Sequence, residues 1–186
     1  MERNLRVGGR EPAARSGVVA LLGLVLTAVV AGGLDARDGA SGEGARWVGT
    51  WAASPQLTEE RNLPPEPGFA DTTLRQVAHV SLGGRSVRVR FSNAFGDSAL
   101  TLLSAHIARS TGGSAIDVAT DQALTFQGRP EVTIPVGALM VSDPLGFDLM
   151  PLSEIAVTIH VLGAPTGVTG HPGSRTTSYF QAGESV

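Results

Sequence analysis

From Ser86 to Ser92 polar and apolar residues alternate at every step: Val87, Val89 and Phe91 stand between Ser86, Arg88, Arg90 and Ser92. The same period returns where Ile155, Val157, Ile159 and Val161 alternate with Glu154, Ala156, Thr158 and His160. It returns again where Ala78, Val80 and Leu82 alternate with Val77, His79 and Ser81. Successive side chains of a strand point to opposite faces, so a period of two gives one face for a core and one for solvent; a helix would need a period of 3.6. Further strands are expected at Trp47–Ala53, Leu100–Arg109, Leu124–Phe126, Val132–Ile134, Ala138–Ser142 and Thr176–Phe180. Clusters of Gly and Pro punctuate them, and Glu59–Gly68 is too rich in Pro for regular structure. Gly83-Gly84 lies between two alternating runs and predicts a two-residue hairpin, because primed turns need positive φ. Many short strands without intervening helices predict an all-β fold, an antiparallel, jelly-roll-like β-sandwich. At 42% hydrophobic and 17% charged residues, the chain has enough apolar side chain to fill a core.

The first residues follow a different rule. Arg3, Arg6, Arg10 and Arg15 precede the uncharged apolar run Val18 to Ala31, which ends in small residues at Gly32 and Gly33. A positive segment, an apolar segment and a small-residue exit describe a secretory signal helix. The apolar run, roughly 14–17 residues, is shorter than the ~20 that a membrane-spanning helix needs. The expected organisation is a signal peptide or anchor over residues 1–36, a Gly-rich linker over 37–45, the β-sandwich over 46–182 and a tail over 183–186. The expected location is extracellular, with membrane contact only through an uncleaved leader.

Composition removes several kinds of chemistry. The chain has no Cys, so thiol catalysis and Cys-based zinc sites are excluded. A net charge of -3 gives no footprint for nucleic acid. His79, His106, His160 and His171 show no metal-ligand spacing, and no metal or cofactor is expected. Gly96-Asp97-Ser98 looks like the nucleophile block of a serine esterase, which makes Ser98 the one candidate nucleophile. Such a Ser needs a His to take its proton and backbone N–H groups to hold the oxyanion. The Asp-x-x-His that accompanies such a block in the esterases it resembles has no counterpart at Asp117, Asp121, Asp143 or Asp148, and Asn93, Gly96 and Asp97 also suit a turn. The turn is the expected reading. Trp47 and Trp51 share strand parity, so both can face one side, either as core or as a platform on which sugars stack. His171, in a Gly/Pro loop, is the third candidate for ligand contact. Arg88 and Arg90 read as a solvated strand face.

Four segments, in order, carry a resemblance: WVGTWAASPQ (Trp47 to Gln56), TLRQVAHVSLGGRSVRVRFSNAFG (Thr73 to Gly96), LTFQGRPEVTIPVGALMVSDPL (Leu124 to Leu145) and TGHPGSRTTSY (Thr169 to Tyr179). Together they resemble the N-terminal β-sandwich domain of secreted bacterial SGNH/GDSL-type hydrolases. The resemblance implies a jelly-roll-like sandwich that precedes a hydrolase domain, with Gly96 at a hairpin turn and the family's catalytic Gly-Asp-Ser block downstream of the last segment. No catalytic residue carries over to this chain. The implied function is an exported accessory module of an esterase or lipase, contacting a carbohydrate or polymeric ester substrate and partnering a hydrolase domain. A truncated product, a fragment and a stand-alone module are all compatible with it. The alternatives are a small serine esterase using Ser98 and a free-standing carbohydrate-binding module.

Overall fold

The computed structural model describes residues 46–66, 68–163 and 165–185. The expected leader (1–36) and linker (37–45) lie outside the described residues. The described residues form an all-β, antiparallel sandwich. The strands are β1 (Gln56–Leu57), β2 (Thr72–His79), β3 (Gly84–Val87), β4 (Arg90–Ser92), β5 (Leu100–Gly112) and β6 (Ala115–Ala123). They continue with β7 (Val132–Ile134), β8 (Leu139–Val141), β9 (Leu145–Leu149), β10 (Glu154–Leu162), β11 (Thr169–Gly170) and β12 (Thr177–Ala182). Among the described residues a single 3-10 turn spans Glu60–Asn62.

One layer is a sheet in the order β12-β2-β10-β5-β6, with β7 also paired to β5. The other layer is a ribbon in which β3 pairs with β9 and β4 with β8. The two ladders of the ribbon are joined at a kink. There Val89 N donates to Ser142 Oγ, and Ser142 N donates to Val89 O. Between the layers Ala78, Ala105, Ile107 and Ile155 of the sheet meet Val87, Phe147 and Leu149 of the ribbon, with Leu124 and Phe126 closing the core. A smaller cluster of Leu102, Ile134 and Val161 fills one end. A β-bulge in β5, opposite His160 and Val161, keeps Leu102 on the core side despite the register shift.

Several local expectations need correction. Gly83-Gly84 makes no hairpin: β2 pairs with β10 and β12, whereas β3 pairs with β9 in the other layer. The dipeptide carries the chain from one sheet to the other. Gly83 is needed for closeness, since a Cβ there would stand 2.6 Å from Leu149 O and 2.9 Å from Pro151 Cδ. Gly96 is likewise no hairpin glycine, because it joins β4 of the ribbon to β5 of the sheet. Trp47–Ala53 is not a strand. It is pinned at one residue, where Thr50 O accepts from Ser81 N and Thr50 Oγ1 exchanges hydrogen bonds with Leu82 N and O. That clasp satisfies the local backbone without a ladder. Besides the two-residue strands β1 and β11, two longer strands went unforeseen. β9 runs through Gly146, with Phe147 and Leu149 buried, although Asp143–Gly146 reads as a break. β6 pairs with β5 through two bulges, and its mostly exposed or half-buried residues show no alternation to betray it.

Candidate functional site

Ser98 follows a turn built around one buried side chain. Gly96 N donates to Asn93 O at 3.2 Å, and the Asn93 amide donates to Ser98 O at 2.9 Å and to Ile134 O at 3.0 Å. Asn93 is 2% exposed, and a Cβ on Gly96 would sit 1.8 Å from its Oδ1, so only Gly fits beside it. Asp97 is drawn outward to the 166–169 loop. The Thr166 hydroxyl donates to its carboxylate, and with the Gly167 amide it holds Asp97 below the usual carboxylate range, more than offsetting partial desolvation. Phe95 N donates to Thr169 Oγ1, which fixes the same two loops together. Among the described residues no histidine nitrogen hydrogen-bonds Ser98. The tripeptide is committed to a crossing between layers, with its acid engaged by a threonine.

The aromatic candidates divide into two places. β1 and β11 pair Gln56 with Gly170, and this brings the preceding Trp51 against His171. The two rings meet edge to face with centroids 5.5 Å apart. His171 Nδ1 is 2.9 Å from Ser174 Oγ, which in turn bonds Thr176, so the imidazole is held from behind by a hydroxyl pair. Trp51 is 37% exposed. Trp47 is separate: it is 46% exposed and carries the Arg88 guanidinium 5.5 Å above its ring, while Arg88 Nε donates to Ser142 O. Trp51 and His171 therefore share one corner, and Trp47 stacks with Arg88 elsewhere. Both indoles lie at the surface rather than in the core.

The sheet register brings together a further group on the face turned away from the core. One row across the sheet reads Tyr179, Arg75, Thr158, His106; the next reads Gln181, Thr73, His160, Ser104. Every one of these side chains is polar, yet Thr73, Thr158 and His160 are buried. The β5–β6 hairpin bends over them, since Arg75 Nη1 donates to Ser114 O at 2.7 Å at the hairpin tip. Arg75 Nε also donates to Thr158 Oγ1 at 2.8 Å. Each histidine of the face holds a carboxylate: His106 Nδ1 is 2.9 Å from Asp121, and His160 Nε2 is 2.8 Å from Asp71. Asp71 adopts φ 46° to reach it, a conformation uncommon for a residue other than Gly. His106 and His160 read from sequence as ordinary strand residues. Their carboxylate partners come from elsewhere in the chain, and only Arg75, at alternating parity beside Thr73, gave a local sign of a polar face.

No family model matches the chain, and no curated protein matches it either.

Proposed function

We propose that this chain is an exported, non-catalytic accessory module that contacts a polymeric carbohydrate or ester substrate, in the manner implied by its resemblance to the sandwich domain of SGNH/GDSL-type hydrolases. The observation that carries the reading is the exposure of both tryptophans, 46% for Trp47 and 37% for Trp51. An indole left at the surface forgoes much of the ~1.5–3 kcal/mol that burying a large apolar side chain supplies, and ligand contact recovers it. At Trp51 the neighbouring His171 adds a polar edge, the combination that a sugar ring with apolar faces and hydroxyl rims requires. The Ser98 surroundings support the non-catalytic part, because a nucleophilic Ser needs a base within roughly 3 Å of its hydroxyl.

Affinity electrophoresis of the purified chain through gels containing soluble plant and bacterial polysaccharides tests this. Retardation by at least one polymer is expected, reduced by Trp51→Ala and by His171→Ala with the far-ultraviolet circular dichroism unchanged. Equal mobility in every gel would overturn the contact role. Hydrolysis of a short-chain nitrophenyl ester that disappears in Ser98→Ala would instead establish a small serine esterase.

A further inference from the structure

The polar face of the six-stranded sheet carries a cleft apart from the aromatic corner. Beside Arg75 a cleft of about 250 Å³ opens between β2, β12 and the tip of the β5–β6 hairpin. Apart from Phe180 its lining is polar: Thr73, Arg75, Ser114, Tyr179, Gln181 and Ser185. Among the described residues no carboxylate lines it. Asp121 and Asp71, the acids bound on this face, are engaged by His106 and His160. Arg75 is thus the one charged side chain among the described residues of the lining. A guanidinium has five N–H donors, and two of those on Arg75 are used, one on Thr158 and one on Ser114 O. The same two bonds fix the plane of the guanidinium, so its remaining donors are held in place before a ligand arrives. Thr73 is already committed to the C-terminal segment, donating to Gly183 O and accepting from Ser185 N. Among the described residues Tyr179 and Gln181 hydrogen-bond no other side chain, which leaves a phenol and an amide beside the guanidinium.

We infer that this cleft binds a single acidic sugar residue, with Arg75 receiving its carboxylate and Tyr179 and Gln181 its hydroxyls. Size favours a single ring, for the cleft is smaller than the roughly 300–1,000 Å³ of sites for drug-sized ligands. Charge favours a monoanion. One guanidinium matches one carboxylate in the planar, two-point geometry that Arg favours, whereas a dianionic phosphate would leave a charge unmatched in a cleft with no second cation. Hydroxyl-rich chemistry follows from the neutral donors and acceptors that fill the rest of the lining.

The test is a titration of the ¹⁵N-labelled chain with galacturonate and glucuronate, followed by amide chemical shifts, with galactose, glucose, acetate and inorganic phosphate as controls. Saturable shifts at Arg75, Ser114, Tyr179 and Ser185 are expected with at least one acid, at millimolar affinity. Binding at least about tenfold weaker is expected for every control, a difference of about 1.4 kcal/mol. Arg75→Gln should abolish the response and Arg75→Lys weaken it. Because Arg75 also ties down the hairpin, Tyr179→Phe serves as a milder second variant and should weaken binding severalfold at unchanged melting temperature. Absence of saturable shifts with both acids overturns the proposal. So does equal binding of the neutral sugars or of phosphate, or a response confined to Trp51 and His171. That last outcome would leave the aromatic-corner reading standing and remove this one.

Discussion

On the inner face of the six-stranded sheet Ile155, Ile107 and Val161 are 8%, 1% and 1% exposed; on the outer face of the same sheet Ala156, Thr158 and His160 are 1%, 3% and 6% exposed. At these positions the two faces are similarly dry and opposite in chemistry. The inner one is covered by the ribbon and held by apolar contact, which is non-directional. The outer one is overlain by a hairpin tethered through Arg75, and two of its buried polar groups are held by partners, Thr158 by Arg75 and His160 by Asp71, whereas the buried Ser104 hydroxyl has none. The difference separates what burial does from what patterning encodes. Burial on the inner face stabilises the sandwich, while burial on the outer face fixes the positions of hydrogen-bonding groups.

The largest break of this contrast should come from the inner face. Phe147→Ala leaves a void beneath Leu149 and Ala105 and should cost about 3–5 kcal/mol, read from urea unfolding. Gly96→Ala, at the crossing between the layers, should cost about 1–3 kcal/mol because the new methyl must displace the buried Asn93 amide. On the outer face Thr158→Val removes the acceptor of Arg75 Nε and should cost only about 0.5–1.5 kcal/mol in the same assay. A loss equal to that of Phe147→Ala would show the outer face to be a second core and erase the comparison.

A pH dependence sharpens it from outside either face. The Asp143 carboxylate accepts from Gly128 N, Thr125 Oγ1 and Gln127 N. The Gly128 amide foremost, and then the Thr125 hydroxyl, hold it below its ordinary value of 3.8. A depressed folded-state value means that its contribution is fully present above the unfolded value. That contribution is lost only as the pH falls below about 4, through the folded value. Melting temperatures should therefore drop more steeply below pH 4 in the unaltered chain than in Asp143→Asn. The smallest effect belongs to Ser98→Ala, which should change stability by no more than about 0.5 kcal/mol.

The legibility of the fold follows the same divide. Alternation exposed β10 and β3–β4 because their inner residues are apolar and their outer ones polar, whichever side is dry. It could not expose the burial of Thr158 and His160, since covering by a hairpin tip is a property of topology. Nor could it expose the pairing of His160 with Asp71, 89 positions away. Trp47 and Trp51 shared the parity of a strand that does not form, because the Thr50 clasp needs only one residue. Of the candidate contacts, Trp51 and His171 come together through the short β1–β11 pairing, which no local pattern announces.

The position of β2 between β12 and β10 governs when the domain can assemble. Gln76 reaches Ser178 across a separation of 102 residues. During synthesis, at roughly 5–20 residues per second, β2 waits about 5–20 s before its last neighbour exists. Through that interval one of its edges is open, and the sheet closes only when residues 177–182 arrive. Folding governed by such distant partners is slow, and the chain spends its early life as an unfinished sheet exposed to pairing with other chains.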